Sequence, residues 1–136
     1  MCQTVMISNT VDRLGRRSYG HRMEVAGRNG YSVSQLARLN RELDGLYELI
    51  YDDWNTVTEA DYESFGPQFV ILLQTLRQLY NECRKAGDAS LREEVKKLGM
   101  NYSALYELNS DIVNFCIKMP KNQKMKQLMK RLAEVA

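Results

Sequence analysis

Apolar positions follow a heptad register without a slip from Leu91 to Met119. Leu91, Val95, Leu98, Tyr102, Leu105, Asn109, Ile112, Cys116 and Met119 are spaced alternately four and three apart. This spacing lays one stripe along a long helix, and a period of about 3.5 residues drives left-handed packing against partner helices. Three other segments step in the same way. Leu36, Leu39, Leu43, Leu46 and Ile50 form one stripe, closed by Trp54. Tyr62, Phe65, Phe69, Leu72, Leu76, Leu79, Cys83 and Ala86 form the next, and Met125, Leu128, Leu132 and Val135 the last.

Punctuation residues set the ends of these stripes. Ser32 with Gln35 and Ser90 with Glu93 have the form of capping boxes, and Thr58 with Asp61 suggests a further cap. Gly87 reads as a left-handed C-cap and Pro120 as a stop, with Asn122 placed to cap the final helix. Gly66-Pro67 should interrupt the second stripe, because proline removes a donor and clashes with the preceding turn. The predicted helices are therefore 34–55, 59–86 with a break at 66–67, 90–119 and 122–135. Residues 1–31 carry four glycines among Arg13, Arg16, Arg17, Arg22 and Arg28, with one short apolar run at Val5-Met6-Ile7. They read as a basic, largely irregular arm. Short connections favour antiparallel neighbours, so the expected fold is all-α. It is an antiparallel, up-down-up-down, left-handed four-helix bundle over 32–136, preceded by that arm.

Composition changes this picture little. A chain of 136 residues, 44% hydrophobic and 26% charged, is one domain able to bury a core without disulfides or metals. Cys2, Cys83 and Cys116 have no paired spacing, which fits reduced thiols rather than a secreted disulfide framework. No apolar run reaches a membrane span and the first residues lack a signal-peptide core, so a cytoplasmic location with no membrane contact is the expectation.

Charge matters more, because it is sorted. Eight acids (Glu42, Asp44, Glu48, Asp52, Asp53, Glu59, Asp61 and Glu63) occupy a stretch without a lysine or arginine. Six bases (Lys118, Lys121, Lys124, Lys126, Lys130 and Arg131) occupy another without an acid. An alternating bundle brings both blocks to one pole, where they could pair internally. The other reading is a basic surface for an external polyanion. Its candidate contacts are Arg13, Arg16, Arg17, Lys121, Lys124, Lys126 and Lys130.

Candidate chemistry is sparse. Asn109 stands in the middle of a core stripe, where a buried asparagine specifies register or oligomeric state. Tyr47 with Tyr51 and Tyr102 with Tyr106 are four apart and stack along helix sides, as core packing with hydroxyls at the rim or as a recognition surface. A single histidine, His21, rules out the Glu-x-x-His pairs of a bundle di-iron centre, and no two cysteines have zinc spacing. Phosphate-cradling glycine loops are absent, so neither a cofactor nor a metal is expected. Arg16 and His21, within Arg-Arg-Ser-Tyr-Gly-His, resemble the Arg-x4-His signature of HEPN-type ribonucleases, which are helical bundles. That resemblance implies RNA cleavage with Arg16 and His21 as the catalytic pair. Ser34-Gln35-Leu36-Ala37 resembles the start of a helix-turn-helix, but Arg41 stands where the turn needs glycine.

The sequence thus points to a non-enzymatic helical-bundle interaction module, an adaptor, regulator or assembly subunit that binds a protein partner or a second copy. The alternative is a small nucleic-acid-binding protein using the arm and the last helix. A HEPN-like ribonuclease is the third reading.

Overall fold

The computed structural model describes residues 5–15, 31–117 and 123–135. These residues are all-helical, with five helices packed together and no strand among them. The helices are α1 (residues 5–15), α2 (Val33–Tyr51), α3 (Glu59–Ala86), α4 (Arg92–Cys116) and α5 (Gln123–Val135). Short 3-10 turns at Trp54–Thr56 and Ala89–Leu91 lead out of α2 and into α4.

The stripes read from the sequence form the core. Leu36, Leu39, Leu43, Leu46 and Ile50 are buried, as are Tyr62, Phe65, Phe69, Leu72, Leu76, Leu79 and Cys83. So are Leu98, Leu105, Asn109 and Ile112 on α4, and Met125, Leu128 and Leu132 on α5. Two caps form as the sequence suggests. The Ser32 hydroxyl accepts from the Gln35 N–H while the Gln35 side chain takes the Ser32 N–H, and Thr58 and Asp61 make the same reciprocal pair. Gly87 ends α3 at φ 64°, a backbone region that glycine enters without steric cost.

Four expectations need correction. Residues 5–15 are not an irregular arm: they form α1, and Ile7, Val11 and Leu14 bury one face of it in the common core. The run Val5-Met6-Ile7 is its first turn, and three buried positions spaced four and three apart outweigh the local charge. Second, α3 runs through Gly66-Pro67 without a break. The lost hydrogen bond is tolerated because the flanking Phe65, Gly66, Phe69 and Val70 are all buried, and tertiary packing holds the helix. Third, Ser90 does not cap α4. Asp88 accepts from the Ser90 N–H at 2.9 Å and from its hydroxyl at 2.7 Å, so the cap opens the 3-10 turn and α4 starts at Arg92. Fourth, Ala86 is exposed, because the α3 stripe outlasts its cover by one turn.

Contacts between named residues set the helix directions. Asn40 meets Glu94 and Asn101, and Trp54 meets Phe115 and Cys116, so α2 and α4 run the same way in direct contact. Tyr62 meets Asn109, and Tyr80 lies against Gly99, so α3 runs opposite to α4. Helix α3 also receives α5, with Leu128 against Gly66. Helix α1 reaches two neighbours: Arg13 pairs with Glu42 at 3.2 Å and Ser8 with Ser64 at 3.2 Å.

Polar side chains inside this core are bonded across helices. The Asn40 amide, 3% exposed, donates to the Glu94 carbonyl at 3.0 Å and accepts from Asn101 at 3.0 Å, tying α2 to α4. The Tyr62 hydroxyl donates to Asn109 Oδ1 at 2.6 Å, tying α3 to α4. Such paired groups hold register, since slipping either helix would strand a buried polar atom.

Candidate functional site

An open groove of about 1150 Å³ lies between the second half of α3 and the first half of α4. Its geometry follows from the tight reversal at Gly87 and Asp88, which brings two long antiparallel helices together. Tyr80 of α3 forms its floor. A Cβ at position 99 would stand 2.7 Å from the Tyr80 ring, so only glycine there lets the ring lie on the α4 backbone. The Arg84 guanidinium sits 5.6 Å from the centre of the same ring, a cation–π distance.

On the α4 wall, the Tyr102 and Tyr106 rings lie next to each other, tilted by 33° with centroids 6.1 Å apart. The tyrosine ladder seen in the sequence is therefore half-buried and lines the groove. Burial pushes the Tyr102 phenol above its ordinary range, opposed by the charge of Arg77 and a hydrogen bond from it. Arg92, Lys96 and the exposed Met100 complete the rim. Four cations (Arg77, Arg84, Arg92 and Lys96) face two acids, Asp88 and Glu107. Asp88 is already committed: its bonds from the Ser90 hydroxyl and N–H hold its carboxyl below the usual range.

One nucleophile lines the groove among the cysteines described. Cys83 lies on its wall, but burial pushes the thiol up and the Glu82 carboxylate pushes the same way, so the thiolate is disfavoured. Among the described residues, no three His, Cys, Asp or Glu side chains gather to hold a metal ion. What the arrangement can do is bind, through aromatic faces framed by positive charge.

Apart from Tyr102 and Tyr106, the described residues chosen from the sequence lie elsewhere. Arg13 is on α1, bonded to Glu42. Lys124, Lys126 and Lys130 are exposed on α5. Arg16, Arg17, His21 and Lys121 lie outside the described residues, and with them the Arg-x4-His signature. Asn109 is fully buried inside one chain. Sequence reasoning passed over Arg77, Tyr80 and Arg84, though their spacing of three and four already placed them on one side of α3. Arg92 and Gly99 it read only as borders of the stripe on α4, and it gave Lys96, spaced with them four and three, no role. The opposite pole carries a smaller aromatic group. Tyr47 stacks on Tyr51 at 5.5 Å, and Trp54 meets the exposed Phe115 edge-on at 5.5 Å.

Among the described residues no helix is long and apolar enough to cross a membrane. Comparison with family models, with curated proteins and with solved structures found no match for this chain.

Proposed function

We propose that this protein is a non-enzymatic interaction module, a left-handed helical bundle that docks a protein partner in the α3/α4 groove. One observation carries the reading: in the first half of α4 the stripe is covered along one edge only. Leu91, Leu98 and Leu105 are buried, whereas Val95 and Tyr102, which alternate with them in the same register, are half-buried and line the groove. Met100, on the groove rim, is 64% exposed. A stripe with one edge left partly uncovered is a surface for another helix or chain.

A photocrosslinking amino acid at Met100 tests this directly in a lysate of the source cells. A discrete protein adduct at Met100, absent when the same group replaces the exposed Glu48, is expected. No adduct at Met100 would reject the groove as an interaction surface.

A second reading, nucleic-acid binding, draws on the three exposed lysines of α5. It predicts a complex with mixed RNA and DNA oligonucleotides by light scattering at 50 mM salt that dissolves at 500 mM. That complex would weaken when Lys124, Lys126 and Lys130 are changed to glutamine.

A further inference from the structure

We infer that the occupant of the α3/α4 groove is an acidic amphipathic helix of a partner protein. The inference rests on the groove being an interaction surface and adds what fills it. The seam between two antiparallel helices is the seat a third helix takes in bundle packing, with ridges of one in the groove of the other two. Here the seat is lined by α3 and α4, and none of the other described residues fills it. At about 1.5 Å per residue the 28 residues of α3 span about 42 Å and the 13 of α5 only about 20 Å. The α5 contact at Gly66 falls in the first half of α3, and α2 engages the first half of α4 through Asn40 on another side. The wall left over presents Val95 and Tyr102 in helical register, with Tyr80 facing them. A matching helix would bring an apolar stripe to meet them.

The rim selects charge. Arg84 on one side and Arg92 and Lys96 on the other bracket the apolar floor, against two acids: Asp88 at the reversal, held in its cap by Ser90, and Glu107 further along α4. Flanking Glu or Asp residues on the incoming helix would each meet a cation. Lysines there would meet like charge, and rejection of the wrong sign is where charged rims contribute most. Helices whose apolar stripe is flanked by acids therefore fit, and basic ones do not.

The test uses the full chain and three fluorescein-labelled synthetic peptides of about 20 residues, about 30 Å as a helix and long enough to span the groove. One is an amphipathic helix with a leucine stripe and glutamate flanks, the second has lysine in place of each glutamate, and the third is the first with its order scrambled. Anisotropy titrations should show saturable binding of the acidic helix, with the other two at least tenfold weaker. Arg92→Glu combined with Lys96→Glu should weaken the acidic helix tenfold or more and improve the lysine helix. Both positions are exposed near the α4 N-terminus, where acids suit the helix dipole, so folding should survive, and circular dichroism checks it. Lys124→Gln with Lys126→Gln and Lys130→Gln on α5 should leave binding unchanged.

Equal binding of both charge types, no binding of the acidic helix, or equal binding of the scrambled peptide would each overturn the acidic-helix assignment. So would displacement of the acidic helix by a 20-nucleotide dT strand, or self-association of the chain that the same charge reversal abolishes. The Met100 crosslink separates the two claims. A crosslink with no acidic-helix binding rejects the occupant alone, and its absence rejects the groove.

Discussion

Tyr62 and Asn109 are both 0% exposed and joined by one hydrogen bond of 2.6 Å, while Asn109 Nδ2 has no hydrogen-bond partner. Removing one partner strands the other, which costs about 1–3 kcal/mol in a buried site. Tyr62→Phe should therefore lower the unfolding free energy measured in urea by that amount. The double change Tyr62→Phe with Asn109→Leu should be less destabilising than the sum of the singles, because no polar atom is then left behind. Since the bond closes within one chain, Asn109→Leu should leave the oligomeric state seen by light scattering unchanged. Gly45 offers the opposite case. It is exposed in mid-helix with nothing within 4 Å of a Cβ, so Gly45→Ala should raise stability by up to about 1 kcal/mol.

At the scale of elements, two glycines on different helices show how the neighbour decides the cost. A Cβ at Gly66 would stand 2.6 Å from Tyr62 and 2.9 Å from Leu128. Tyr62 cannot swing away, because Asn109 holds its hydroxyl. Gly66→Ala should therefore destabilise by about 1–3 kcal/mol and loosen α5 from α3, read as faster hydrogen exchange along α5. At Gly99 the clash, 2.7 Å, is with the outer edge of the Tyr80 ring, which is half-buried on the groove floor and able to turn. Gly99→Ala should cost much less stability yet weaken the binding of a groove ligand, a split that a thermal melt and a binding titration together would reveal. The existence of α2, α3, α4 and α5 was legible in their stripes and caps. Helix α1 was not, since a helix of eleven residues amid arginines is marginal alone and forms because Ile7, Val11 and Leu14 find a core waiting.

For the molecule as a whole, burial raises the pKa of the Tyr62 phenol above its ordinary value near 10. Burial also raises Tyr102, Cys83 and Cys116. A group whose folded pKa is raised contributes stability that is complete below its unfolded value and is lost as pH rises through the folded one. The protein should thus hold its stability at neutral pH, begin to lose it above about pH 9 as the thiols enter, and lose it steeply above about pH 10. The tyrosine portion approaches about 1.4 kcal/mol per pH unit for each proton the native state retains. Urea unfolding at a series of alkaline pH values measures this, and Tyr62→Phe should start lower but fall less steeply.

The periodicity of this chain determined that α2 to α5 are helical, which of their residues form the main buried stripes, and where Ser32, Thr58 and Gly87 punctuate them. Those properties depend on neighbours within one or two turns, so they are written along the chain. Only the tertiary structure decided which helices touch, that α2 and α4 lie side by side in one direction, and that Pro67 is carried inside a continuous helix. It also decided that the tyrosines of α4 look into a groove rimmed by arginines of α3. The groove residues are up to thirty positions apart, from Arg77 to Glu107, and become neighbours only after the reversal at Gly87. Periodicity gives each helix a buried face, but it does not say how far along that face a neighbour extends. That depends on the relative lengths and contacts of separate helices, and here it leaves Val95 and Tyr102, on one edge of the α4 stripe, half-buried.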